Sequence, residues 1–131
     1  MNAWVSRGVM AHILIVDDEG SIRRLLSQAF TDAGWVVRTA ADAPEAIGLC
    51  ASETFEVVLS DVLMPAMNGH ELIRTLATQH ATPRFVLMTG FNDVDCDACP
   101  LSSRCKVLAK PFRASDAVAF IEGLLSEPPA G

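Results

Sequence analysis

The chain has 131 residues, which is the length of one domain. Half of the residues are hydrophobic and a fifth are charged, a balance that indicates a globular protein rather than a disordered one. The 16 acidic residues exceed the 10 basic ones and give a net charge of −6, which argues against a nucleic-acid surface because phosphate contacts need a basic patch. No apolar run approaches the ~20 residues of a membrane span, and the first residues lack the pattern of a secretory signal. We therefore expect a cytoplasmic protein with reduced cysteines.

Short apolar runs predict five β-strands. The runs cover residues 12–16, 35–39, 57–59, 85–88 and 107–109. The first, third and fourth runs show no alternation of apolar and polar residues. Such runs are typical of strands that are buried on both faces, as in a parallel sheet covered by helices.

Amphipathic segments between the strands predict helices. The first carries apolar residues at helical spacing and ends at Gly34, and its apolar positions are Ile22, Leu25, Leu26, Ala29 and Phe30. Three further helices are predicted to begin near Pro44, shortly before Leu72 and near Ser115. The alternation of strands and helices predicts βαβ units in a doubly wound α/β sheet.

The segment 92–106 does not fit this pattern well. It stands where a further helix is expected, but it contains three aspartates, three cysteines and Pro100 near its middle. A proline inside a helix removes a hydrogen bond and clashes with the preceding turn. We expect this helix to be short, broken or irregular.

Polar residues stand at the carboxyl ends of four predicted strands, and they are Asp17, Asp18, Asp61, Thr89 and Lys110. In a parallel sheet these ends share one edge, which is where ligands bind in open α/β sheets. Three carboxylates that approach one another favour a hard cation with oxygen ligands, and Mg²⁺ fits because no Cys or His stands at these positions. A carboxylate beside such a cation can attack phosphorus and form an aspartyl phosphate.

Four motifs stand in order along the chain: VDDE at 16–19, SDVLMPAMNG at 60–69, MTG at 88–90 and AKPF at 109–112. Together they resemble the receiver domain of two-component response regulators. The resemblance covers residues 11–126, which leaves residues 1–10 as an N-terminal extension and 127–131 as a C-terminal tail. It implies a flavodoxin-like fold with five parallel strands in the order 2-1-3-4-5.

The resemblance also implies a magnesium site. Asp18 and Asp61 would bind Mg²⁺ directly, together with the backbone carbonyl of Leu63. Asp17 would act largely through water. The Lys110–Pro111 peptide bond is often cis in such domains.

By the same resemblance, Asp61 would accept a phosphoryl group from a histidine kinase or a phosphotransfer protein. Lys110 would contact that group, and Thr89 would be the switch hydroxyl. The protein would be a switch that changes its contacts with a downstream protein, and not an enzyme acting on external substrates. We expect neither nucleic acid nor a membrane as a partner.

The sequence departs from the receiver pattern in the fifth strand and beside the acceptor. Receivers usually carry an aromatic residue three positions before the lysine, where this chain has Val107, so its switch output is expected to differ. Leu63 and Phe91 occupy the positions that tune dephosphorylation. Neither side chain can orient a water in line with phosphorus, which predicts slow self-dephosphorylation.

The cysteines of the irregular segment, Cys96, Cys99 and Cys105, permit three interpretations. They are small, partly buried hydrophobic residues, or a thiol–disulfide switch, or part of a metal site that Asp95 or Asp97 would complete.

Three other functions remain as alternatives. The first is a non-phosphorylated interaction module that uses the cysteine segment for redox or metal responses. The second is a phosphohydrolase of the haloacid-dehalogenase type, which would need an aspartate where Leu63 stands. The third is a flavin-binding flavodoxin, whose first loop should be rich in Ser and Thr, whereas VDDE would repel a phosphate.

Overall fold

The protein is described from a computed structural model that covers residues 11–62, 64, 67–80, 83–89, 105–110 and 112–126. These ranges contain five strands: β1 (His12–Val16), β2 (Val36–Ala40), β3 (Val57–Asp61), β4 (Arg84–Thr89) and β5 (Cys105–Ala109). They also contain four helices: α1 (Gly20–Asp32), α2 (Ala43–Ser52), α3 (Gly69–Gln79) and α4 (Ala114–Ser126).

The five strands form one parallel sheet in the order β2-β1-β3-β4-β5, which confirms the predicted flavodoxin-like fold. The chain runs outward from β1 to β2 and then crosses back to β3, so the strand order reverses between β1 and β3. Val16 is paired with Ser60 in this register. The residues that follow them, Asp17 and Asp61, therefore leave the sheet side by side at the reversal point, where α/β folds bind ligands.

Helices cover both faces of the sheet, and each face has its own hydrophobic core. One core joins the sheet to α2 and α3, with Phe55, Ile73 and Phe85 among its buried side chains. The other joins the sheet to α1 and α4, with Phe30 and Ile121 at its centre. The central strands are buried on both sides, as their continuous apolar runs predict.

The second strand begins one residue later than predicted. Trp35 belongs to the connection from α1, because its backbone N–H donates to the carbonyl of Phe30 at 2.9 Å. Its ring stands edge-on to the Phe30 ring, with centroids 5.4 Å apart. Gly34, which precedes it, has a φ of 98°, so the helix ends through a left-handed residue that favours glycine.

Leu25, one of the apolar positions of the predicted first helix, is not buried against the sheet. Its neighbours Leu26 and Phe30 are buried against the sheet, but Leu25 is 56% exposed. The apolar stripe of α1 is wider than the surface that the sheet and α4 cover. Leu25 is therefore left at the rim of a groove beside the carboxyl end of the sheet.

Several predictions fall outside the described residues. These are the irregular helix between β4 and β5, the N-terminal extension 1–10 and the C-terminal tail 127–131. Within the described residues, every helix is too short or too polar to cross a membrane.

Candidate functional site

Three carboxylates meet at the carboxyl end of the sheet. Asp61 is the last residue of β3, and Asp17 and Asp18 directly follow β1. One oxygen from each side chain lies within 4.8 Å of the others. Asp17 is completely buried, Asp61 is 6% exposed and Asp18 is exposed to solvent. Asp18 is therefore the member of the cluster that is exposed to solvent.

The side chain of Asp17 is held by one oxygen and leaves the other without a partner. Its Oδ1 accepts a hydrogen bond from the backbone N–H of Glu19 at 2.9 Å. Its Oδ2 is buried and has no hydrogen-bond partner among the described residues. Burial raises the pKa of Asp17 to about 6, and the nearby charges of Asp61 and Asp18 act in the same direction. The hydrogen bond from Glu19 opposes this shift. A cation that prefers oxygen ligands would compensate the charge on this second oxygen and offset the cost of burying it.

Lys110 places an ammonium group against Asp61. Its Nζ lies 3.0 Å from Oδ2 of Asp61, and its backbone N–H donates to the carbonyl of Thr89 at 2.7 Å. Burial alone would lower the pKa of Lys110, but the hydrogen bond to Asp61 and the charges of Asp61, Asp17 and Glu19 hold it above its ordinary value. Lys110 therefore remains charged at the site.

Thr89 reaches the same edge of the sheet from the neighbouring strand. It is the last residue of β4 and is half-buried. The register pairs Asp61 with Met88, so Thr89 lies one residue further toward the carboxyl edge than Asp61. This placement puts the hydroxyl-bearing residue at the rim of the acidic cluster, between β3 and the strand that carries Lys110.

The start of α3 is packed against the backbone of Asp61, and Gly69 makes this possible. The N–H of Gly69 donates to the carbonyl of Val62 at 2.9 Å. A Cβ at position 69 would lie 2.4 Å from the carbonyl oxygen of Asp61 and 2.8 Å from Cδ2 of Leu87. Only glycine allows this approach. The helix is capped by Asn68, whose side chain accepts from the N–H of Glu71 at 2.9 Å.

A groove of about 310 Å³ runs from Lys110 along α1 toward the start of α4. Its other lining residues are Glu19, Ile22, Leu25, Leu26, Phe112 and Ala114. Most of this lining is apolar, and Leu25 is the most exposed large hydrophobic residue among those described. A protein that reaches Asp61 from this side would contact these residues.

The structure brings together Asp17, Asp18, Asp61 and Lys110, and it places Thr89 on the adjoining strand. Other predicted positions lie outside the described residues, namely Leu63, Phe91, Pro111, Cys96 and Cys99, together with the side chain of Cys105. Val107, in the position where receivers usually have an aromatic, is 38% exposed on β5.

Two polar contacts near the acids were not anticipated from the sequence. Ser60 is buried, and its hydroxyl donates to the carbonyl of Asp61 at 2.9 Å. Arg23 donates from Nη1 to the carbonyl of Asp17 at 2.6 Å. Both are side-chain bonds to backbone oxygens, which no residue pattern encodes.

Comparison with known proteins agrees with this geometry. The family model of the response regulator receiver domain matches residues 13–122. The response regulator receiver protein CpdR of Brucella abortus is 33% identical over 117 residues, which cover 88% of this chain and 98% of CpdR.

Longer regulators match as well. The DNA-binding transcriptional regulator NtrC of Salmonella typhimurium is 32% identical over 123 residues, which cover 93% of this chain and 26% of NtrC. The chain thus spans about a quarter of the length of NtrC. Among solved structures, the response regulator TrrA of Thermotoga maritima in complex with Mg²⁺-BeF superposes with a TM-score of 0.75 at 25% identity, covering 88% of this chain and 99% of that one.

Proposed function

The chain belongs to the response regulator receiver domain family, and on that premise we propose that it is a Mg²⁺-dependent phosphoacceptor whose acceptor residue is Asp61. The observation that carries the proposal is the cluster at the carboxyl end of the sheet. Three carboxylates lie within 4.8 Å of one another, and Lys110 is 3.0 Å from the middle strand's Asp61. Receiver domains are signalling modules and not enzymes that act on external substrates, and we propose the same for this chain.

The residues present fit a magnesium ion. Asp17, Asp18 and Asp61 offer only oxygen ligands, and the second carboxylate oxygen of Asp17 is buried without a partner among the described residues. We propose that Asp18 and Asp61 hold the ion together with the carbonyl of Leu63, and that Asp17 acts on it largely through water. When bound, Mg²⁺ would offset the charge of the carboxylates and of the phosphoryl oxygens. A solved structure of TrrA contains Mg²⁺-BeF, which supports this choice of ion.

In the proposed reaction a carboxylate oxygen of Asp61 attacks the phosphorus of the donor. A new P–O bond forms, and the bond from phosphorus to the donor's histidine nitrogen, or to the carboxylate oxygen of acetyl phosphate, breaks. The leaving group takes the bonding electrons and the product is an acyl phosphate. Lys110 would place its charge against the phosphoryl oxygens, and the hydroxyl of Thr89 would donate a hydrogen bond to them.

We propose a cytoplasmic histidine kinase or phosphotransfer protein as the donor. Such a partner must bring its phosphohistidine to Asp61, and the apolar groove between α1 and the start of α4 opens beside Lys110. The exposed side chain of Leu25 at its rim supplies apolar area that a partner can bury. The output would be a changed contact with a downstream protein.

The test is phosphorylation by acetyl phosphate, which needs no partner. The protein is incubated with acetyl phosphate and Mg²⁺, and its intact mass is followed with time. We expect one phosphoryl adduct that requires both Mg²⁺ and Asp61. Asp61→Asn should form none, whereas Asp32→Asn, which removes an exposed carboxylate at the end of α1, should behave as wild type.

A folded wild-type protein that forms no adduct would overturn the proposal. The better hypothesis would then be the non-phosphorylated interaction module, which uses the cysteine segment for redox or metal responses.

The decay of the adduct tests a finer prediction. Since Leu63 and Phe91 carry no polar group to orient water, the phosphoryl group should persist after the donor is removed. Phe91→Glu, which introduces a polar side chain, should shorten the lifetime of the phosphoryl adduct. A wild-type lifetime of seconds would show that these positions do not screen the phosphorus.

A further inference from the structure

The turn that carries Asp17 and Asp18 connects β1 to α1 and is held mainly by contacts within a few residues. The N–H of Asp17 donates to the carbonyl of Ala40 at 3.1 Å, which ties the start of the turn to β2. The N–H of Glu19 donates to Oδ1 of Asp17. Beyond these bonds, the turn must keep two carboxylates close together against their mutual repulsion.

Arg23 donates hydrogen bonds to both ends of this turn. Its backbone N–H donates to the carbonyl of Glu19 at 3.1 Å, as the first turn of α1 requires. Its side chain folds back across that turn, and Nη1 donates to the carbonyl of Asp17 at 2.6 Å. A charged donor makes a hydrogen bond stronger than a neutral one. The two carbonyls that bracket Asp18 are thus held by one residue.

The guanidinium of Arg23 binds a backbone carbonyl and not the carboxylate oxygens of Asp17 or Asp18. Among the described residues, no carboxylate lies within ion-pair distance of Arg23. An arginine paired with Asp17 or Asp18 would compete with a cation for the same oxygens. Because it binds a carbonyl, Arg23 brings a positive charge close to the carboxylates without occupying the oxygens that a cation would bind.

The guanidinium groups of Arg23 and Arg24 both lie near Gly20. A Cβ at this position would lie 3.4 Å from Nη2 of Arg23 and 3.4 Å from Nη1 of Arg24, which is ordinary van der Waals contact. Only Arg23 reaches the turn. Arg24 is exposed and makes no ion pair or hydrogen bond in the part of the chain described here.

We propose that Arg23 is a positioning residue for the metal site: it fixes the backbone of the Asp17–Asp18 turn so that the carboxylates are already arranged for Mg²⁺. The inference rests on the proposed function. Partners that orient metal ligands from outside the coordination shell typically contribute 10- to 100-fold to metal affinity. Arg23 would act in this way through the backbone.

The experiment measures Mg²⁺ binding by calorimetric titration of the unphosphorylated protein. Arg23→Met removes the donor and keeps much of the side-chain length, and Arg24→Met is the matched control for charge and position. We expect Arg23→Met to weaken Mg²⁺ binding about tenfold or more, and Arg24→Met to stay within about twofold of wild type because Arg24 makes no such contact. Arg23→Lys keeps the charge and should recover part of the affinity.

Phosphorylation kinetics separate positioning from a merely structural effect. With Arg23→Met, the phosphorylation rate by acetyl phosphate should be low at limiting Mg²⁺ and return near the wild-type value at saturating Mg²⁺. Thermal unfolding without Mg²⁺ shows whether the variants are folded, and if Arg23→Met is not, Arg23→Lys and Arg24→Met still make the comparison.

Equal Mg²⁺ affinity in Arg23→Met and Arg24→Met would overturn the inference. A loss of rate that persists at saturating Mg²⁺ would also overturn it. Failure of the proposed function gives a different result, because the wild-type protein itself would then form no adduct.

Discussion

At the amino end of the sheet, the side chain of Glu56 accepts a hydrogen bond from the backbone of His12 and lies 3.8 Å from its Nδ1, with both side chains more than a third exposed. At the carboxyl end, Asp17 and Asp61 are almost wholly buried, and they lie together with Asp18. The acid at the amino end accepts a hydrogen bond and is partly exposed to solvent. The acids at the carboxyl end are crowded, and one oxygen of Asp17 has no partner among the described residues.

This difference shows where the protein accepts an unfavourable arrangement. Burying carboxylates together opposes folding unless a cation or a hydrogen-bond donor compensates. Such conflicts are expected at functional sites and not elsewhere. Four changes would break or sharpen the contrast between the two ends.

The largest effect is expected from Lys110. Lys110→Met removes the ammonium group 3.0 Å from Asp61 and should slow phosphorylation by acetyl phosphate about 100-fold, because a preorganised charge at the transferring oxygens is lost. Lys106→Met, which changes an exposed side chain on β5, the strand that Lys110 follows, is the control. The measurement is the initial rate of adduct formation by intact mass. A rate equal to that of the control would exclude a role for Lys110 in the transfer.

The second effect is on stability and its pH dependence. The pKa of Asp17 is about 6 in the folded protein, above its ordinary value of 3.8. Between these values the folded state binds more protons than the unfolded state, so stability without Mg²⁺ should fall as pH rises from about 4 to about 6. The free energy of unfolding should fall by about 3 kcal/mol in total, because each unit of pKa difference corresponds to about 1.36 kcal/mol.

Asp17→Asn should abolish most of this pH dependence and stabilise the protein at pH 7 in the absence of Mg²⁺. Urea unfolding at several pH values measures both quantities. Adding Mg²⁺ at pH 7 should stabilise wild type more than the variant, since a bound ligand stabilises the state that binds it. A wild-type stability that is flat between pH 4 and 6 would contradict the burial argument.

A smaller effect is expected at the contact between α3 and Asp61. Gly69→Ala would place a Cβ 2.4 Å from the carbonyl oxygen of Asp61, so the backbone must move. Overpacking of this kind costs about 1–3 kcal/mol. Chemical denaturation measures the loss, and Gly48→Ala is the control because a Cβ at Gly48 meets no atom within 4 Å. Equal stability of the two variants would mean that α3 can shift away from Asp61 freely.

The smallest effect is expected at the amino end. Cys50 lies at a cavity of about 220 Å³ there, and burial raises the pKa of its thiol to about 11. Cys50→Ala should cost about 1 kcal/mol of stability and leave the rate of phosphorylation unchanged, because the cavity is at the opposite edge from Asp61. Denaturation and adduct formation measure the two quantities. A clear change in rate would show that the two ends are coupled.

The sequence by itself determined the order of strands and helices, the parallel sheet and the edge where the polar residues gather. Continuous apolar runs have few alternatives to a doubly covered sheet, and the carboxyl ends of parallel strands always share an edge. Asp17, Asp18, Asp61, Thr89 and Lys110 could therefore be placed together from their positions after the strands. These features follow from local periodicity and topology, both of which are written in the order of residue types.

Only the tertiary structure decided the contacts that depend on exact distances. The exposure of Leu25, the place of Trp35 outside β2 and the bond from Arg23 to the carbonyl of Asp17 follow from how much surface each neighbour covers and which backbone oxygen a long side chain reaches. The need for glycine at position 69 likewise comes from the approach of α3 to Asp61. Periodicity states which face of an element is apolar, but packing of all elements decides how much of that face is covered and which polar atoms are left to bind one another.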